Sequence, residues 1–144
     1  MPIAYHTENV NLPEKFKKNQ ARQWIKKIIL NHDKTSGAIA FIFCDDTKIL
    51  EINRQFLQSD YYTDIITFDY TKDDILSGDL YISVDTVKSN SEKFKTEFLE
   101  ELYRVMIHGI LHLCGMTDKT EDERKQMTLE ENKALEILRT MIKF

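Results

Sequence analysis

The segment GDLYISVDTVKSNSEKF, Gly78 to Phe94, changes its periodicity halfway along. Leu80, Ile82 and Val84 alternate with Tyr81, Ser83 and Asp85, the period of two that a half-buried strand requires. From Asp85 onward the alternation is lost, and TVKSNSEKF reads as a short helix. Strands lie mostly before this switch and helices follow it.

Working back from the switch, TDIITFDY is β-branched and aromatic and reads as a strand, while TKDDILSG is a loop compatible with antiparallel pairing. DTKILEINRQFL predicts a short helix, with Asp46 as its N-cap and Ile49, Ile52, Phe56 and Leu57 at helical spacing. AIAFIFCDD is short, continuously apolar and aromatic, the pattern of a buried strand. Ile3 to Thr7 is a further short strand, Pro13 and Glu14 open a helix that reaches about Leu30, and NHDKTSG is the loop after it.

Forward of the switch, a longer helix runs from about Thr96 to Cys114 and a last one from Glu121 to the C-terminus. Thr120 and Glu123 stand at the spacing of a capping box, in which side chains and helix amides satisfy each other reciprocally. The expected fold class is α+β: a single domain over residues 1–144, a mixed sheet of about four strands covered by helices.

Composition agrees with that size, since 144 residues with 42% hydrophobic content suit one domain with a real core. No run of eighteen apolar residues exists, and MPIAYHTENVNLPEKF lacks a basic and then apolar leader, so the expectation is a soluble, cytoplasmic protein without membrane attachment. Cys44 and Cys114 sit in apolar runs and read as reduced thiols. A net charge of −4 does not favour a polyanionic partner, so any nucleic-acid contact must be local. The one basic cluster is KFKKNQARQWIKK. On a helix, Lys15, Arg22 and Lys26 share a side, with Lys18 at its edge, opposite Trp24, Ile25, Ile28 and Ile29. That face is a candidate RNA contact, and equally the solvated side of an amphipathic helix.

The long helix ends in HGILHLCGMTD, His108 to Asp118. Positions four apart share a helix face, so His108 and His112 are able to bring two ring nitrogens to one metal ion. Gly115 then supplies a left-handed residue that ends the helix and lets Asp118 approach the same ion. Three protein ligands leave a fourth position open, the arrangement of a catalytic rather than a structural zinc site. For the histidine pair alone, two core imidazoles bonded to backbone are the alternative, and Asp122, Glu121 or water could stand in for Asp118. A zinc peptidase would carry glutamate after the first histidine as its base; here that place holds Gly109, which weakens the peptidase reading.

HGILHLCG, preceded by EELYRVMI, resembles the signature of the YbeY family of metal-dependent endoribonucleases of ribosomal RNA maturation. INRQF with YTDIITF, and SGDLYISVD, resemble two further family segments in the same order. The motifs cover roughly Ile52 to Asp118, and length and element order agree along the rest. The resemblance implies an α+β fold, one zinc ion, a cytoplasmic location and cleavage of single-stranded RNA. The role it implies is maturation of the 16S ribosomal RNA 3′ end and ribosome quality control, with the small ribosomal subunit as a partner.

Two positions depart from the family pattern. Asp118 stands where the third ligand is usually histidine, and two histidines with one carboxylate also suit Fe2+. Leu57 stands where the family carries a phosphate-contacting arginine. Arg54 and Arg104 are the candidate catalytic replacements, while a structural ion pair of Arg104 with Glu100 or Glu101 is the competing reading. Asn53, Thr63 and Asp64 also match the family pattern, although Asp64 could simply cap a turn or a strand end. The rivals to an RNA-cleaving enzyme are a metal hydrolase of another bond and an RNA- or ribosome-binding adaptor whose metal only staples the Gly115 turn.

Overall fold

Four strands and five helices follow one another in the order β1 (Ile3–Thr7), α1 (Lys18–Asn31), β2 (Thr35–Cys44), α2 (Asp46–Phe56), β3 (Ile65–Asp69), β4 (Ile75–Ser83), α3 (Val84–Phe94), α4 (Phe98–Leu113) and α5 (Glu121–Met141). They are seen in a computed structural model, which describes residues 3–56 and 63–143. Leu57, where the resemblance expects an arginine, lies outside the described residues.

The sheet is mixed, with strand order β1-β2-β4-β3. β1 and β2 are parallel, as are β2 and β4, while β3 runs antiparallel to β4. The predicted α+β class and antiparallel β3–β4 pair are both found. Alternation along the strands divides the buried side chains between the two faces of the sheet. Ile39, Phe41, Phe43, Leu76, Leu80 and Ile82 join Trp24, Ile28, Tyr103, Ile107, Leu111 and Leu135 in the main core. Cys44 and Ile66 join Ile49 and Ile52 of α2 in a smaller one.

Within the main core, α5 is locked to α1 by the buried Trp24 indole, which donates to the Ala134 carbonyl at 2.7 Å. Both cysteines are free thiols. Among the described residues no helix is long and apolar enough to cross a membrane.

Several boundaries differ from those expected. α1 begins at Lys18, not Pro13, because Phe16 is buried and stacks on Tyr103, and the Lys17 amide donates to the Tyr103 hydroxyl. That anchor leaves residues 13–17 as a turn, with the Phe16 amide bonded to the Pro13 carbonyl. β2 and β4 start earlier than expected, because Thr35 and Ser36 pair with Ile75 and Leu76. Asp46 is the first helical residue of α2, not its cap. The Lys48 amide is satisfied by Asp45, while Asp46 accepts from the hydroxyls of Ser83 and Thr86.

Candidate metal centre

α4 buries Leu102, Met106, Gly109, Ile110 and Leu113 and leaves Arg104, His108 and His112 half-buried along one stripe, one turn apart. Gly109 lies against the sheet, where an added Cβ would come within 2.2 Å of Leu80 Cδ2 and 2.7 Å of Ile65 Cδ1. The place of a peptidase glutamate is therefore filled by the sheet itself.

The helix stops as its sequence requires. Gly115 has φ +100°, the Gly115 amide donates to the His112 carbonyl and the Met116 amide to the Leu111 carbonyl, the pairing that closes a helix through a left-handed residue. The reversal brings the Met116 carbonyl to 3.0 Å from His112 Nδ1. Asp118 follows on a loop held by Glu123, whose carboxylate accepts from the Thr117 hydroxyl and from the amides of Lys119 and Thr120. The Thr120–Glu123 capping box is present, and these bonds hold the Glu123 carboxyl below its ordinary range, that of Thr117 foremost.

Both imidazoles turn Nε2 toward Asp118. The two Nε2 atoms are 3.0 Å apart, and Asp118 Oδ2 lies 3.4 Å from that of His108 and 3.6 Å from that of His112. Each Nδ1 is already committed to a pure acceptor, His112 to the Met116 carbonyl and His108 to Glu131 Oε2 at 2.7 Å. Each Nδ1 therefore carries the proton, and a neutral ring keeps its Nε2 lone pair bare. Two lone pairs and a carboxylate facing one point repel each other unless a cation lies between them. Ligand arms of about 2.1 Å in a tetrahedron give ligand–ligand edges of about 3.4 Å, close to the three distances found. His108, His112 and Asp118 could hold a metal ion, and Glu121 and Asp122 are exposed and outside the group.

The surrounding cleft is lined by Thr63, Asp64, Thr67 and Asp69 on the β3 side and by Gly115 to Lys119 on the other. Burial raises the Asp64 carboxyl above its ordinary value, against the pull of His108. At His108 burial disfavours the charged ring, but the bond to Glu131 and the carboxylates of Glu131, Asp118 and Asp64 outweigh it, and the imidazole is raised.

Among the other residues singled out in the sequence, Arg104 donates from Nη1 to Glu131 at 2.9 Å and from Nη2 to Asn132 at 2.8 Å, not to Glu100 or Glu101. Arg54 is exposed on α2, in a recess with Thr47, Leu50, Glu51 and Gln55. Asn53 is buried on the same helix. Lys15 precedes α1 and Lys26 is exposed on it. Arg22 donates to the Ile3 carbonyl and to Asn19, and stacks over the Tyr5 ring at 4.6 Å. Glu131 escaped the sequence reading, although it occupies a core position of α5 in register with Met127, Ala134, Leu135 and Leu138. A carboxylate in an apolar stripe was the available signal.

The chain resembles known proteins along nearly its whole length. The family model described as Endoribonuclease YbeY matches residues 3–139. A Bacteroides fragilis protein named Endoribonuclease YbeY is 57% identical over 135 residues, 94% of this chain and 96% of that one. A Porphyromonas gingivalis protein of the same name is 46% identical over 140 residues, 97% of this chain and 92% of that one. A Thermotoga maritima protein solved in solution matches with a TM-score of 0.70 at 27% identity, over 95% of this chain and 89% of that one.

Proposed function

The chain belongs to the YbeY family of endoribonucleases, and from that premise we propose that it hydrolyses single-stranded RNA at a metal centre held by His108, His112 and Asp118. The observation that carries the reading is the convergence of two imidazole Nε2 atoms, 3.0 Å apart, on the Asp118 carboxylate in an open cleft. Zinc is the metal of this reading, and Fe2+ is the alternative for a donor set of two imidazoles and one carboxylate. When bound, such an ion polarises a phosphodiester oxygen, activates water, or does both.

The protein's own groups divide the remaining work. His108 and His112 hold their Nδ1 atoms in hydrogen bonds, so each ring in its neutral form turns an Nε2 lone pair toward the metal position. Asp118 adds the negative charge that lowers the cost of gathering a divalent ion there. Lys119 is the cationic side chain among the described residues lining the cleft and offers charge to a phosphate. Arg54 is the remaining arginine candidate to stabilise charge in the transition state, because Arg104, the other candidate, is held by Glu131 and Asn132. Lys15, Arg22 and Lys26 form the proposed backbone contact for RNA outside the cleft. The substrate in this reading is ribosomal RNA, with maturation of the 16S 3′ end and quality control on the small ribosomal subunit as the cytoplasmic role.

Elemental analysis combined with cleavage assays on unpaired RNA and on peptide tests the proposal. One divalent ion per chain, and RNA cleavage lost on chelation and restored by metal, is the expected result. Peptide cleavage without RNA cleavage would indicate a hydrolase of another bond. A tightly held ion with neither activity would indicate the adaptor.

A further inference from the structure

We propose that Glu131 is the positioning residue of the centre, that it sets the ring tautomer of His108, and that Arg104 serves as its counter-ion rather than as a phosphate contact. The inference rests on the metal reading above and concerns how this chain prepares one ligand.

Glu131 sits in the apolar stripe of α5 and is only 7% exposed. A carboxylate in that position is strongly unfavourable unless charge and hydrogen bonds compensate it. Both oxygens are used, in different directions. Oε1 accepts from Arg104 Nη1 at 2.9 Å and Oε2 accepts from His108 Nδ1 at 2.7 Å. An ion pair that served only to join α4 and α5 would need Arg104 alone. The second oxygen instead holds the back of a ring whose front faces His112 and Asp118.

The two imidazoles are thereby made unequal. His112 is held by a neutral carbonyl, while His108 is held by a full negative charge, which makes its Nε2 the stronger donor. Arg104 offsets that charge, and its other nitrogen is fixed by Asn132 at 2.8 Å. The guanidinium therefore stays with Glu131 and offsets the cost of burying its carboxylate, while Oε2 remains a stronger acceptor for His108 than the neutral carbonyl that holds His112.

Glutamine at position 131 is nearly isosteric but has one acceptor oxygen, so it satisfies either Arg104 or His108. The charged guanidinium is the stronger competitor. The amide NH2 then faces His108 Nδ1, the ring proton moves to Nε2, and the ring no longer offers a lone pair to the metal. Removing Arg104 as well frees the glutamine oxygen for His108.

The test uses Glu131→Gln, Arg104→Met and the double variant of the full chain, with Leu138→Ala as a control for weakened α5 packing. Nitrogen-15 spectra of the metal-free proteins, recorded above the histidine titration range, read the His108 tautomer. Chelator competition with Zn2+ alone reads affinity. Glu131→Gln is expected to shift His108 to the Nε2–H tautomer and to weaken Zn2+ binding about 10–100-fold. The double variant should regain the Nδ1–H tautomer and part of the affinity, a rescue that a merely structural pair would not give. Leu138→Ala should change neither. An unshifted tautomer with Zn2+ affinity within about twofold of wild type in Glu131→Gln would overturn the proposal. Failure of the wild type to bind either Zn2+ or Co2+ would defeat the metal reading itself, and the spectra of the metal-free protein would still decide whether Glu131 sets the tautomer.

Discussion

His108 and His112 direct their Nε2 atoms at each other across 3.0 Å while their Nδ1 atoms are held by Glu131 and by the Met116 carbonyl. Neither ring can relieve this opposition by passing its own proton to Nε2 without losing its Nδ1 bond. A metal ion between the two Nε2 atoms, or a proton added to one of the rings, removes the opposition. A metal that binds only the folded state should raise stability by mass action, about 2.7 kcal/mol when its concentration is 100 times its dissociation constant. His112→Ala is expected to abolish that rise in melting temperature and to empty the metal fraction in elemental analysis. Equal metal content in wild type and variant would refute it.

Asp118 approaches both Nε2 atoms from the loop that Glu123 holds. Asp118→Ala should lose the ion and the metal-dependent cleavage of RNA together, while Asp118→His should retain both, since imidazole and carboxylate bind zinc at similar distances. Undiminished metal and activity in Asp118→Ala would remove it from the site.

Gly109 packs α4 against the sheet, and the atoms an added Cβ would meet are the ends of Leu80 and Ile65. Side-chain ends yield more readily than backbone, so Gly109→Ala should fold but cost about 1–3 kcal/mol by overpacking. Denaturant midpoints at unchanged slope are the measure. A cost below about 0.5 kcal/mol would show that the helix moves away freely.

These local features were legible wherever the chemistry is carried by near neighbours. The Thr120–Glu123 box, the Gly115 stop and the alternation of Leu80 and Ile82 each announce themselves within a few residues. What escaped depends on partners far along the chain. Thr35 and Ser36 read as loop because they are polar, and become strand by pairing with Ile75 and Leu76. Pro13 reads as a helix start, but burial of Phe16 against Tyr103 delays the helix to Lys18. Glu131 stands out in the sequence only as a carboxylate in the apolar stripe of α5, and its partner His108 is brought to it only when α5 packs on α4.

The raised imidazole of His108 gives the metal-free protein a signed pH dependence. A group whose pKa is higher folded than unfolded binds its proton more tightly in the folded state. Its stabilising contribution is complete below the unfolded value of about 6.5 and is lost as pH rises through the folded value. Metal-free protein should therefore lose stability above about pH 6.5, and His108→Gln should flatten that part of the profile. A profile with the same slope in both proteins would mean that another group titrates there.

The basic side of α1 separates into two kinds of residue, which gives the RNA contact a sharper test. Arg22 is bound to the Ile3 carbonyl, to Asn19 and to the Tyr5 ring, so it joins α1 to β1. Lys15 and Lys26 are exposed. Arg22→Gln should cost about 1–2 kcal/mol of stability through its lost hydrogen bonds and ring contact, whatever its effect on RNA. Lys15→Gln with Lys26→Gln should leave the melting temperature unchanged. If both contact phosphates of a single strand, the slope of log affinity against log salt should become shallower by about 1.4, since each phosphate neutralised contributes roughly 0.7. An unchanged slope in that double variant, measured on unpaired RNA, would show that this face is only solvated and that the RNA is held at the cleft alone.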